Sequence, residues 1–293
     1  MIERIKTNIR YINNLGKKYT AGIFSALGAI AIFFPINEYI NSIIYKILAI
    51  ISIIVIMYVL AVVSHLFKNK KEILSQNGKK VIVEYGDIFS KKYCSKILVI
   101  PVNRCFDTIV DNDLISEDKL HGRVIKEIIS SSEQEAKNIN TTIQTKLNEQ
   151  NLEFELLEKA DKRKGNLKRY PAGTVVEYKA LKNIYYFLGL SILDKNLHAQ
   201  YTEEDQILAI QRLLEYHNIH GNGKDIVIPI IGGGNTGTNK DEKTILNMMV
   251  QLIRFNQNNI NSNINIVVRK SAKNEVGILD LWGRICIRDL TLI

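Results

Sequence analysis

The chain has 293 residues, a formal net charge of +9 and a mean hydropathy of −0.02. Its cysteines are odd in number and far apart, so neither a disulfide framework nor a zinc cluster is expected, and a reducing compartment is favoured. The charge permits nucleic acid, an anionic membrane or a phosphorylated small molecule as partner. A membrane surface is favoured over nucleic acid because ten basic residues flank one apolar block: Arg4, Lys6, Arg10, Lys17, Lys18, Lys68, Lys70, Lys71, Lys79 and Lys80.

The apolar block predicts a two-helix transmembrane hairpin. Residues 43–67 have an uncharged centre and are long enough to cross about 30 Å of hydrocarbon. Residues 19–36 are shorter and contain two glycines, and we expect them to span as well. The connector NEYINS has no Lys or Arg, so the positive-inside rule predicts a multi-pass protein of the cell membrane with both termini in the cytoplasm.

Two other interpretations of this block are disfavoured. A cleaved signal peptide would need a small-residue cleavage site, whereas a longer apolar run follows the first one. A helical pair in a soluble core would show a polar face, which residues 47–63 lack. We therefore expect residues 1–78 to form an N-terminal membrane region and residues 79–293 a cytoplasmic domain.

After residue 78 the pattern changes to short β-branched and aromatic runs that alternate with helical periodicity. Strands are predicted at 79–85, 96–102, 174–178, 184–191, 225–231 and 264–269. Helices are predicted at 121–137, at 141–159, from Thr202 with Asp205 as a capping box to about residue 217, and after Asp241 and Glu242. Such alternation predicts an α/β fold with a sheet covered on both faces.

The stretch IPIIGGGNTGTNKDE (228–242) leads from a strand through glycines into a helix, a typical setting for a phosphate or diphosphate. It is not a P-loop, because the lysine and hydroxyl residue are misplaced. Gly232, Gly234 and Gly237 satisfy the dinucleotide pattern GxGxxG, but the next strand ends in Arg269 rather than in an acid. A dinucleotide-binding module therefore remains an alternative, as does a bare turn that needs glycine for its backbone.

Between residue 80 and about residue 282 the ordered motifs resemble macro domains, which implies a three-layer α/β/α fold with a central mixed sheet. Gly86, Asp87 and Ile88 are similar to their GDI, Asn103 lies where their VNAAN begins, and RYPAGTVVEY and IPIIGGGNTG are similar to two later motifs. The resemblance implies an ADP-ribose derivative as ligand, with no cofactor or metal. Asp87 and Ile88 would bind adenine, and a loop would wrap the diphosphate: Gly232, Gly233, Gly234, Asn235, Thr236 and Gly237.

The sequence departs from macro-domain hydrolases after Asn103. The position of their second asparagine holds Phe106, and their glycine-rich first loop is replaced by DTIVDNDLISEDKLHG (107–122). These departures favour a receptor over an enzyme. An enzyme that transforms ADP-ribose or NAD derivatives, with Asn103 as its remaining catalytic candidate, is the alternative.

The substituted loop together with the hairpin resembles the transmembrane macro effectors of bacterial Thoeris antiphage systems. This resemblance implies a partner TIR-domain enzyme that makes a histidine conjugate of ADP-ribose, and an effector that binds this signal, forms homo-oligomers and disrupts membrane lipids to abort infection. Phe106 would stack on the ligand, Asp107 or Asp111 would pair with its amine, and His121 would also lie at the site. Loop packing and solvated charge are the alternative roles of these side chains.

Overall fold

The computed structural model describes residues 1–33, 42–180, 183–233 and 240–281. These residues divide into two compact units. One comprises Met1–Lys71 and the segment from Ser271 onward, and the other comprises Glu72–Lys270. The described residues from Ser271 to Leu281 thus group with the N-terminal helices.

The first unit is helical, with α1 (Ile2–Thr7), α2 (Ile9–Phe33) and α3 (Ile43–Phe67). Among the described residues, α3 is the one helix long and apolar enough to cross a membrane; its most apolar window has a mean hydropathy of 3.0 and is 6% buried. The predicted 43–67 helix is confirmed. The predicted first span falls in α2 as far as Phe33, while residues 34–36 lie outside the described residues, so the two-helix membrane hairpin stays a prediction.

The helix α2 begins at Ile9, well before the predicted span at residue 19. The Asp280 carboxylate accepts hydrogen bonds from the backbone N–H groups of Arg10 at 3.1 Å and Tyr11 at 2.5 Å. The first N–H groups of a helix have no partner within the helix, so a distant carboxylate caps this end. Hydropathy marks only the apolar part of α2, because its start depends on this tertiary contact.

The C-terminal segment has two further attachments within the same unit. The N–H of Leu279 donates to Asn8 Oδ1 at 3.0 Å. The ammonium of Lys71 donates to the carbonyls of Leu279 at 2.6 Å and Leu281 at 2.7 Å. The segment from residue 277 to residue 281 therefore contacts both the start of α2 and Lys71, which follows α3.

The second unit is built on a mixed eight-stranded sheet. Its strands are β1 (Lys70–Gln76), β2 (Lys79–Gly86), β3 (Ile97–Asn103), β6 (Val175–Ala180), β7 (Asn183–Leu193), β8 (Ala199–Gln200), β9 (Ile226–Pro229) and β10 (Ile264–Arg269). Their order across the sheet is β1-β2-β10-β9-β3-β7-β6, with β8 paired to β7. Strands β2, β10, β9, β3 and β7 run parallel, and β6 and β8 run antiparallel to β7. The six predicted strands are confirmed, and β1 and β8 are additional.

Four helices cover this sheet: α4 (Leu120–Ser131), α5 (Glu133–Glu149), α6 (Glu203–His220) and α7 (Glu242–Phe255). The helices lie on both faces of the sheet, as alternate side chains of β7 show. Tyr185 and Phe187 of β7 belong to the core cluster that includes residues of α4 and α5. Tyr186 between them contacts the rings of Tyr216 and His217 on α6. The predicted three-layer α/β/α arrangement is confirmed.

The predicted bounds of two helices are wrong. The predicted 121–137 helix is interrupted at Ser132, whose side chain accepts the N–H of Glu135 and caps α5. The predicted 141–159 helix ends at Glu149, and the chain then forms the short strands β4 (Glu155–Leu156) and β5 (Lys168–Arg169). Periodicity continues across both points, so it did not mark these breaks. The capping box of Thr202 and Asp205 is confirmed.

Candidate functional site

A cleft of about 300 Å³ opens where β3, β7 and β9 end. In open α/β sheets, ligands bind outside the carboxyl ends of the strands. A crevice forms there at the point where the strand order reverses. The cleft is lined by Pro101, Val102, Asn103, Leu114, Ile115, Ser116, Lys119, Leu120, His121, Leu190, Ser191, Leu193, Leu197, Ala199, Tyr201, Pro229, Ile230, Gly232 and Gly233. Mostly apolar walls with few polar groups are typical of small-molecule sites.

The cleft contains Asn103, the last residue of β3. Its side chain is buried, and its Oδ1 accepts the backbone N–H groups of Cys105 at 3.1 Å and Asp107 at 3.4 Å. The Asn103 side chain also hydrogen-bonds to the Asp107 carboxyl, which opposes the rise in the pKa of that group. Asn103 therefore lines the cleft and shapes the turn that follows β3.

Phe106 lies in that turn with a φ of 53°. Its ring is 2% exposed and meets Tyr170 edge-on at 6.0 Å between centroids. The structure places this ring in the core rather than in the cleft. Stacking on a ligand, as predicted, would require the turn to open.

Asp107 is 1% exposed and lies beneath the cleft wall. Its Oδ2 is 2.8 Å from Nζ of the fully buried Lys162, and its Oδ1 accepts the N–H of Asn166 at 2.6 Å. Burial raises the pKa of this carboxyl, and the Lys162 charge opposes the rise. To pair with a ligand's amine, as predicted, Asp107 would have to leave Lys162. The alternative Asp111 is ion-paired with Lys164 on the surface.

His121 lies in the first turn of α4 and lines the cleft. Burial lowers its pKa to about 4, and a hydrogen bond to the Asp107 backbone opposes the shift. The imidazole is therefore neutral at pH 7. A neutral ring suits hydrogen bonding to a ligand better than pairing with a phosphate.

The glycine-rich loop begins at the cleft with Gly232 and Gly233. Gly232 has a φ of 85°, and a Cβ there would lie 2.2 Å from Nε2 of Gln206, so glycine is required for both conformation and space. Gln206 donates to the carbonyl of Ile231, and the Tyr201 hydroxyl donates to the carbonyl of Gly232. The predicted diphosphate residues Gly234, Asn235, Thr236 and Gly237 lie outside the described residues.

Asp87 and Ile88 follow β2, away from the lining of this cleft. The Asp87 carboxylate is exposed, accepts the N–H of Phe89 at 3.0 Å and lies 3.8 Å from Arg123. Ile88 is buried in the core. The exposed carboxylate oxygens of Asp87 are accessible to a ligand, and binding of adenine there stays a prediction.

Sequence reasoning missed three residues that organise the site: Lys162, Tyr201 and Gln206. Lys162 belongs to the charged run DKRKGN, which is typical of a solvated surface, yet its side chain is fully buried. Tyr201 and Gln206 flank the start of a helix, where nothing in the sequence indicates contact with the glycine loop. No cluster of three potential metal ligands occurs among residues 1–33, 42–180, 183–233 and 240–281.

Comparison with known proteins assigns this fold to a family. Residues 81–269 match the family described as "Thoeris protein ThsA, Macro domain". The Thoeris protein ThsA of Bacillus amyloliquefaciens (strain Y2) is 28% identical over 166 residues, which cover 56% of this chain and 52% of that protein. The chain thus matches about half the length of that relative.

Solved structures of a macrodomain from Oceanobacillus iheyensis are also similar. A mutant of that protein gives a TM-score of 0.45 at 14% identity, covering 71% of this chain and 89% of the other. The same macrodomain with ADP gives 0.40 at 11% identity, covering 71% and 92%. On the family match over residues 81–269, the chain belongs to the Thoeris ThsA macro-domain family.

Proposed function

We propose that this protein is a membrane-bound effector of Thoeris antiphage defence that is activated by an ADP-ribose derivative bound in the cleft at the ends of β3, β7 and β9. The family match over residues 81–269, which contains this cleft, carries the proposal. A partner TIR-domain enzyme supplies the signal, for which a histidine conjugate of ADP-ribose is our first candidate.

The site chemistry supports binding of such a ligand. Gly232 and Gly233 line the cleft with backbone and no side chains. A diphosphate can therefore approach their backbone N–H groups closely. Asn103 and the neutral His121 offer hydrogen-bonding groups for a ribose or an attached ring. The apolar wall of Leu114, Leu193 and Leu197 accommodates an uncharged group.

The effect of ligand binding is proposed to be exerted at the membrane. The helix α3 is a candidate span, and basic residues lie on both sides of it in the sequence. In this proposal α2 spans beside α3, both termini are cytoplasmic, and several copies assemble because one hairpin cannot line a pore. Ligand binding drives this change only if the ligand binds the assembled state more tightly than the resting state.

The full-length protein in detergent micelles tests ligand binding directly. ADP-ribose, NAD and the histidine conjugate are each added in a thermal unfolding series, where ligand at about 100 times its dissociation constant adds about 2.7 kcal/mol. We expect stabilisation by at least one of the three, and its loss in Ala199→Trp, which fills the cleft. Lys179→Trp, on an exposed side chain of the same sheet, is the matched control.

Two results would contradict the proposal. If none of the three compounds stabilises the protein, an ADP-ribose derivative is not its ligand. Equal stabilisation of wild type and Ala199→Trp would place the ligand elsewhere. Analysis of the same mixtures for products separates a receptor from the enzymatic alternative, because a receptor leaves the nucleotide intact.

A further inference from the structure

One wall of the cleft is an irregular loop between β3 and α4, residues 104–119, here called the wall loop. It contributes Leu114, Ile115, Ser116 and Lys119 to the cleft lining. Within the loop, Val110 bridges Ile115, and Asp111 Oδ1 accepts the N–H groups of Asp113 at 3.1 Å and Leu114 at 2.8 Å. These bonds shape the loop internally, whereas its position against the sheet is set by contacts with other segments.

A basic segment at residues 161–166 supplies these contacts. Three acids of the wall loop meet three consecutive bases of this segment. The ion pairs are Asp107 with Lys162 at 2.8 Å, Asp113 with Arg163, and Asp111 with Lys164. Two segments far apart in sequence are thus joined by three charge pairs and by a fourth, longer contact of Lys164 with Asp113 at 3.6 Å.

The three pairs differ in burial. Lys162 and Asp107 are 0% and 1% exposed, whereas the side chains of Arg163 and Asp113 are 53% and 39% exposed. Exposed pairs contribute little and are screened by salt. A buried pair costs desolvation, but it fixes geometry strongly because neither charge tolerates being left alone.

The buried pair is also hydrogen-bonded to the backbone of the basic segment. Lys162 Nζ donates to the carbonyl of Asn166 at 2.7 Å, and the N–H of Asn166 donates to Asp107 Oδ1. Gly165 has a φ of 86°, and a Cβ there would lie 2.3 Å from Asp107 Oδ1. The turn of the basic segment is shaped around this carboxylate.

Asp107 connects the pair to two cleft residues. Its backbone N–H is accepted by Asn103 Oδ1 at 3.4 Å, and its backbone also receives a hydrogen bond from His121. A shift of Asp107 would therefore move Asn103, His121 and the start of the wall loop together.

We infer that Lys162 is a positioning residue of the ligand cleft, which holds the wall loop, Asn103 and His121 in binding geometry through its buried ion pair with Asp107. This inference rests on the proposed function, because it concerns the same cleft and the same nucleotide ligand. Lys162 itself does not line the cleft and acts through Asp107.

The test uses full-length protein and ADP-ribose as the probe. Replacing the pair by apolar residues, Asp107→Leu with Lys162→Met, removes both buried charges at once, so the protein is expected to fold. Its urea midpoint is lowered only by the loss of the acceptor for the N–H of Asn166. The dissociation constant for ADP-ribose, measured on fully folded protein, is expected to rise about tenfold or more, because the wall is no longer held by directional bonds. A loss of affinity in fully folded protein is a result that a purely structural role does not predict.

Two further variants complete the design. Lys164→Gln removes the solvent-accessible ion pairs of Lys164 with Asp111 and Asp113 and is expected to change the dissociation constant by less than about threefold. Lys162→Arg keeps the charge but places a larger planar group beside Asp107, and should weaken binding while the protein stays folded. It serves as the deciding variant if the apolar pair does not fold.

Wild-type affinity in the folded apolar pair, or in Lys162→Arg, would overturn the inference while leaving the proposed function intact. Equal losses in Lys164→Gln and in the apolar pair would also overturn it, because the buried pair would then have no special role. Failure of the wild type to bind ADP-ribose, NAD or the histidine conjugate would overturn both proposals.

Discussion

Two regions of this chain are rich in aliphatic residues, yet their side chains meet different surroundings. In β3, Leu98, Val99 and Ile100 are at most 2% exposed, because helices cover both faces of the sheet. In α3, Val55 and Ile56 are 55% and 52% exposed. The strand buries its apolar surface within its own unit, whereas α3 is apolar all round and needs lipid or another helix to cover it. The same residue types therefore form a covered core in one region and an uncovered apolar surface in the other.

Among the changes considered, a charge placed in α3 should have the largest effect, because it makes this apolar helix unfavourable in a membrane. Val55→Asp puts a carboxylate near the middle of the helix, which costs about 2.5 to 3.5 kcal/mol at the centre of a membrane span. We expect the variant to leave the membrane fraction after alkaline extraction. Ile219→Asp, on a residue of α6 that is 71% exposed, is the control and should fractionate as wild type. Retention of Val55→Asp in the membrane would argue that α3 does not span it.

Acidification should act on the sheet unit through His217. Burial lowers the pKa of His217 to about 4, with the Asp225 charge opposing the shift, and its Nε2 lies 2.7 Å from Ser262 Oγ. The unfolded chain has the ordinary pKa of about 6.5 and binds more protons, so stability present above pH 6.5 is lost as pH falls toward 4. The loss from this side chain is about 3 kcal/mol at most.

The urea midpoint of the sheet unit, followed between pH 7.5 and pH 5, measures this loss. His217→Gln retains a donor toward Ser262 but does not titrate, so its midpoint should fall less steeply. Part of the slope should remain, because burial lowers the pKa of His121 in the same direction. An identical slope in wild type and His217→Gln would show that His217 does not carry the effect.

The smallest effect is expected at the cap of α2, where the Asp280 carboxylate accepts two backbone N–H groups of the first turn. Asp280→Ala removes the acceptor for the N–H groups of Arg10 and Tyr11, at a cost of about 1 kcal/mol typical of a lost cap. Hydrogen exchange at these two amides should accelerate about fivefold. Asp280→Asn retains an acceptor oxygen and should exchange more slowly than the alanine variant. Unchanged exchange in Asp280→Ala would contradict the capping role.

Much of the sheet was predictable because its strands are short, β-branched and bounded by turn residues. The strand β1 was missed because KKEILSQ is half charged and alternates weakly, and its place is set by pairing through the turn at Asn77 and Gly78. Both turn residues have positive φ, which favours a two-residue hairpin. The Asn-Gly pair favours such a turn, but the weak alternation of the preceding residues does not predict a strand before it.

At the site, motifs located Asn103, His121, Gly232 and Gly233, all of which line the cleft. They did not show that Phe106 and Asp107 turn inward, because burial there depends on Tyr170 and Lys162, which arrive from later segments. A lysine in a charged run carries no local sign of burial. Such residues are visible only once the segments that enclose them are assembled.

The contact between Asp280 and the start of α2 has a consequence for biosynthesis. Its hydrogen bonds join residues 269 and 270 positions apart, so α2 leaves the ribosome long before its cap has been made. The intervening sheet unit must be synthesised first, and domains generally fold in the order of synthesis. A chain released before residue 280 therefore carries an uncapped α2. The hydrogen bonds that complete the start of α2 can therefore form only after the whole sheet unit has been synthesised.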